Sequence, residues 1–177
     1  MNMTQQFSLM LPANIDGNTF IRFALFDTFR LKGRWKAPVL FASIMTAFSI
    51  ICFAVKNTHE QAQLLGIVLL AAGLVLPSVW FLMYMYSVRI QIKRNALSPR
   101  KTQYYVQLME DTIKVMKDSD EIEYSWNEVY KAFRVKGCTY LYMSENRAYL
   151  LPKCDESDEA WEIITGSLSG EKVKDLR

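Results

Sequence analysis

Asp118, Asp120, Glu121 and Glu123 are the densest set of potential metal ligands in the sequence, and carboxylates this close together could bind calcium. A calcium loop needs a glycine for its tight turn, and none is present; strand alternation would also split Glu121 and Glu123 from their neighbours. The cluster reads as a solvated turn. Cys52, Cys138 and Cys154 form no Cys-x-x-Cys or Cys/His cluster and read as free thiols. Cys138 would act as a nucleophile only beside a base, and the single histidine, His59, is placed below in a different compartment. Gly-rich phosphate loops, Gly-x-Ser-x-Gly, His-Glu-x-x-His and EF-hand spacings do not occur. The chemistry-bearing residues therefore predict a non-enzymatic chain with no catalytic, metal or cofactor site.

The elements that would position any site fall into two kinds. The chain has 177 residues, 51% of them hydrophobic and 22% charged, with a formal net charge of +3. That excess is too small and too scattered for nucleic-acid binding. The apolar residues concentrate in two uncharged stretches, Ala37–Val55 and Leu64–Tyr86. At about 19 and about 23 residues, each is long enough as a helix to cross a hydrocarbon core of roughly 30 Å. The expected divisions are 1–36, an N-terminal strand and amphipathic helix; 37–55 and 64–86, two transmembrane helices; 56–63, an external loop; and 87–177, a cytoplasmic domain.

Trp35, Trp80, Tyr84 and Tyr86 stand at span ends, where amphipathic rings favour the headgroup level. Arg22, Arg30, Lys32, Arg34 and Lys36 precede the first span, and Arg89, Lys93, Arg94, Arg100 and Lys101 follow the second; the connecting loop has only Lys56. Lys and Arg bias toward the cytoplasm puts both termini inside the plasma membrane. Neither span carries an ionisable residue, which argues for an anchor over an ion pathway. Ala42, Ser43, Thr46, Ala47, Gly66 and Gly73 would let backbones approach closely, within the hairpin or in a homo-oligomer.

Gln6–Leu11 suits a short strand, and Asn14, Asp16 and Asn18 are candidate N-caps for a helix. That helix repeats Phe20, Phe23, Phe26 and Phe29 on one face, for the membrane interface or for packing on the soluble domain. After Ser87 come alternating segments: QYYVQLM and TIKVM about a Glu110-Asp111 turn, EIEYSW, YKAFRV and TYLYM about Lys136-Gly137, and AYLLP after Ser144–Arg147. A helix N-capped by Ser157 would follow, with Trp161, Ile164 and Leu168 on one face. The fold class is a membrane helical hairpin plus an α+β domain, a bent antiparallel sheet capped by a C-terminal helix. Pairing of the N-terminal strand with this sheet would make the two spans an insertion into one domain.

The quoted runs YSVRIQIKR, YYVQLMEDTIKV and IEYSWNEVYKAFRVKGCTYLYMSENRAYLLPK, in this order after two spans, resemble the YcxB-like family of small bacterial membrane proteins. The resemblance implies a domain similar to pleckstrin-homology folds and no particular activity. Tyr104, Tyr105, Tyr124, Trp126, Tyr130, Tyr140, Tyr142 and Tyr149 are more rings than a small sheet can bury. Most are expected in the core, with Trp126, Tyr130 and Arg134 as candidate partner-facing residues. The expected function is a membrane-anchored module that binds a protein partner at the cytoplasmic face. The alternative is anionic-lipid recognition through Arg89, Lys93, Arg94, Arg100 and Lys101.

Overall fold

Strand β1 (Ser8–Ile15) alternates buried Leu11, Ala13 and Ile15 with more exposed residues, the period-two pattern of a strand with one covered face. The computed structural model describes residues 8–55, 60–99 and 101–177. His59, Lys56 and Arg100 lie outside the described residues. The chain divides into two units, one formed by residues up to Phe20 together with Ala96–Arg177, the other by Ile21–Asn95.

The first unit contains β1, β2 (Lys101–Met109), β3 (Thr112–Lys117), β4 (Asp120–Ser125), β5 (Lys131–Val135), β6 (Cys138–Ser144) and β7 (Arg147–Pro152). Helix α1 (Gly17–Leu25) begins in it; helix α4 (Ser157–Ser167) and strand β8 (Val173–Asp175) complete it. Antiparallel strands and a C-terminal helix match the expectation, but the strands form two four-stranded sheets, ordered β1-β2-β3-β4 and β7-β6-β5-β8. The break falls at a 3-10 turn, Trp126–Glu128, which Ser125 and Glu128 close as a capping box: Ser125 N–H donates to Glu128 Oε2 at 2.9 Å, and Asn127 N–H donates to Ser125 Oγ. Trp126 thus leaves the strand it was assigned to. The last strand, β8, pairs parallel to β5, an element too short to show a sequence period.

β1 pairs antiparallel with β2 from Ser8↔Met109 to Ile15↔Lys101, across all the intervening helical sequence. The two-residue connection Glu110-Asp111 joins β2 to β3. At Lys136-Gly137, Gly137 takes φ +87°, a conformation that L side chains resist, and its carbonyl accepts from Lys153 N–H. The core contains Leu108, Ile113, Val129, Leu141 and Ile164, all fully buried. α4 is preceded by Glu156 rather than capped by Ser157, whose hydroxyl accepts from Cys154 N–H at 2.7 Å instead.

The second unit holds a π-helix (Phe26–Leu31) and the paired helices α2 (Lys36–Ala54) and α3 (Glu60–Arg94). Both are long and apolar enough to cross a membrane, and only 6% of the first apolar stretch and 11% of the second is buried. α3 runs eight residues past the expected end at Tyr86, because SVRIQIKR is rich in good helix formers. Asp16 is the cap that α1 uses, its Oδ1 accepting from Thr19 N–H at 2.7 Å.

Candidate binding surfaces

Tyr104 on β2, Tyr124 on β4 and Tyr149 on β7 point inward from different strands and meet in one cluster. The Tyr104 and Tyr149 rings lie 5.5 Å apart edge to face, and the Tyr124 and Tyr149 rings 6.0 Å apart. The Tyr104 hydroxyl accepts from Leu150 N–H at 2.7 Å and donates to the Leu150 carbonyl at 3.1 Å, so one side chain closes both backbone groups of a strand in the other sheet. Tyr124 and Tyr149 share a hydrogen bond of 3.0 Å, and Arg147 donates to the Tyr149 hydroxyl at 2.8 Å while lying over both rings. Burial raises the Tyr104 phenol and pushes Tyr149 up to about 12, so both stay protonated at neutral pH. Their work is to join the sheets, since neutral phenols paired to one another supply no base.

Two of the three residues suggested as partner-facing are interior. Trp126 is 5% exposed, and its Nε1–H donates to the Met109 carbonyl at 3.0 Å. Arg134, 7% exposed, is ion-paired with Asp158 in the first turn of α4 and lies over the Trp161 ring. Its hydrogen bond and positive charge hold the Asp158 carboxyl below the usual range. An arginine so engaged fastens α4 to β5 and has no surface to offer. Tyr130 alone remains exposed, with the Lys131 ammonium over its ring.

The sequence reading missed a different exposed row. Register places Pro12, Tyr105 and Met116 side by side on the outward face of the first sheet, with Met10 two residues along β1. Met10 is 52% and Tyr105 44% exposed. Strict alternation against buried Val106 and Leu108 already aims Tyr105 outward, so the signal was available in β2. Beside the row, Lys114 pairs with Glu121 at 3.0 Å and Glu123 at 3.8 Å, which accounts for part of the acidic cluster. Among the described residues no group of three or more His, Cys, Asp or Glu side chains could hold a metal ion.

In the second unit, small residues bring the helices together. A Cβ on Gly73 would lie 2.9 Å from Met45 Cβ, Gly66 faces Cys52 and Phe53, and the buried Ser49 hydroxyl donates to the Gly66 carbonyl at 2.7 Å. These glycines therefore serve packing within the helix pair. In the N-terminal helical segment, Phe29 packs on Trp80, Phe81 and Tyr84 of α3. The Tyr84 hydroxyl lies 2.7 Å from the Ala24 carbonyl, to which it donates, and 2.9 Å from Thr28 Oγ1. Arg34, Ala37, Pro38, Phe41, Leu76, Pro77 and Trp80 line an open cleft of about 530 Å³. Arg89, Lys93 and Arg94 stand exposed on the last turns of α3, and Lys101 is exposed at the start of β2.

A protein-family model described as YcxB-like protein matches residues 108–164, from the end of β2 into α4. This stretch is YcxB-like. It includes Tyr124, Arg134, Tyr149 and Asp158, and so both the tyrosine cluster and the arginine clamp fall largely within the YcxB-like segment, while β1 and the helix pair lie outside it. Comparisons with curated proteins and with solved structures gave no match.

Proposed function

We propose that this chain is a non-enzymatic, membrane-anchored binding module whose helix pair holds the YcxB-like unit at the cytoplasmic face of the plasma membrane for a protein partner. The observation that carries the reading is the β1–β2 ladder: a strand before the helices pairs with a strand after them, so the helix pair must leave the bilayer on the side it entered. Exposed apolar helices support the anchor, because a soluble fold would cover them. Arg34, Lys36, Arg89, Lys93 and Arg94 flank the strand-side ends of the helices, which supports a cytoplasmic location.

The row Met10, Pro12, Tyr105 and Met116 supports protein binding, since aromatic residues and Met are enriched in interface cores. A non-enzymatic role is supported by Cys138, whose thiol burial pushes up to about 12 and away from reactivity. Recognition of anionic lipid by the exposed basic residues near the end of α3 is the alternative, and their placement already follows from membrane orientation. A photo-crosslinking residue at position 105 of the full chain in its native membrane should give one discrete protein adduct that Met116→Asp abolishes. Adducts of equal yield from position 153, on a different exposed surface, would refute the docking face.

A further inference from the structure

We propose that the cleft between α2 and α3 seats one acyl chain of an anionic phospholipid, with the Arg34 guanidinium on its phosphate. The proposal rests on the membrane reading above. The cleft lining is charged at Arg34 and otherwise apolar, as a lipid is charged at its headgroup: Arg34 precedes α2, and Phe41 and Leu76 lie further along the two helices from the basic ends. Phe41 is about 7 Å along α2 from Lys36 and Leu76 about 6 Å along α3 from Trp80, at 1.5 Å per residue. The cavity, about 530 Å³, exists because Ala37 and Pro38 are short on one wall and Pro77 stands opposite them. That volume lies within the roughly 300–1,000 Å³ of small-ligand sites.

The electrostatics at the mouth call for an anion. α2 starts with Lys36 and has no acidic residue in its first turn, so the positive end of its dipole adds to Lys36 and the neighbouring Arg34 instead of being compensated. The nearby carboxylate, Asp27, is engaged by Lys32 at 2.8 Å. The backbone at the mouth is held in place: the Arg34 backbone N–H donates to the Thr28 carbonyl at 3.0 Å, and the Lys36 backbone N–H to the Gly33 carbonyl at 3.1 Å. The Arg34 guanidinium can bind phosphate through two parallel hydrogen bonds, with the acyl chain running down between Phe41 and Leu76.

The test uses full-length protein in mild detergent, mixed with equal amounts of phosphatidylglycerol and phosphatidylcholine of matched chains and read by native mass spectrometry. One phosphatidylglycerol should be retained with about fivefold preference, the effect of one basic residue facing an anionic surface. Arg34→Gln should bring the ratio to about one while lipid is still retained, and Ala37→Phe, which fills the cleft, should remove both lipids. Equal retention by the unaltered chain, a preference unchanged in both variants, or a lipid-free dimer that Ala37→Phe dissociates would overturn the proposal. A chain recovered from cells without membrane would refute the membrane reading itself, whereas an integrated chain with no preference refutes only the lipid seat.

Discussion

Replacing Trp126 by Ala removes an indole that is 5% exposed, packed in the same cluster as Leu108 and Val129, and hydrogen-bonded to the Met109 carbonyl. Truncating a buried aromatic to Ala costs about 3–5 kcal/mol. At 1.36 kcal/mol per decade, this multiplies the open population by about 150 to 5,000. Trp126→Phe keeps most of the ring but loses the Nε1 donor, a cost of about 1–2 kcal/mol and a factor of roughly 5–30. Cys138 is a built-in reporter: it is buried, and its thiol is pushed up to about 12, so it reacts only when the unit opens. In full-length protein carrying Cys52→Ala and Cys154→Ser, the rate of thiol modification should rise in the order native, Trp126→Phe, Trp126→Ala, by those factors. A change under threefold in both variants would refute the assignment of Trp126 to the core.

Tyr104→Phe should cost about 1–3 kcal/mol by stranding the buried Leu150 N–H, visible as faster Cys138 modification; an unchanged rate would show that the hydroxyl does not join the sheets. Folding raises Tyr104 above its ordinary 10.0, Tyr149 from 10.0 to about 12 and Cys138 from 9.0 to about 12. A group whose pKa folding raises contributes stability that is intact below the unfolded value and fades as pH climbs through the folded one. Stability should therefore decline from about pH 9 toward pH 12, less steeply in Tyr104→Phe, as followed by phenolate absorbance; all phenols titrating near 10 with the fold intact would contradict this. Gly73→Val should lower the thermal midpoint of the detergent-solubilised chain by several degrees more than Gly166→Val, because only the first forces a Cβ to within 2.9 Å of Met45; equal midpoints would refute close helix packing at Gly73.

What the sequence shows depends on how local the cause is. Uncharged runs expose the two helices, and the turns at Glu110-Asp111, Lys136-Gly137 and Glu145-Asn146 are written in two residues each. The sheet break is less visible, because EIEYSW alternates up to Trp126 and only the Ser125–Glu128 capping box, read as a pair, marks the turn. Arg134 looks like a surface residue in KAFRV; its burial depends on Asp158 and Trp161, more than 20 residues away, which no strand period can indicate. Likewise, the individual residues of the cleft look like ordinary span residues. Only the pairing of α2 with α3, close at Gly66 and Gly73, brings Arg34 and Phe41 to one cleft with Leu76.

The central claim is that a helix pair inserted between β1 and β2 leaves the strands on one side of the membrane and the connecting segment on the other. Cys138 cannot test it, since it is buried whichever side it occupies. Single cysteines at Glu145, in the exposed β6–β7 turn, and at Asn57, in a background without the native thiols, can. An impermeant maleimide added to intact cells should label Asn57→Cys and spare Glu145→Cys until the cells are permeabilised. Labelling of Glu145→Cys on intact cells would contradict the account.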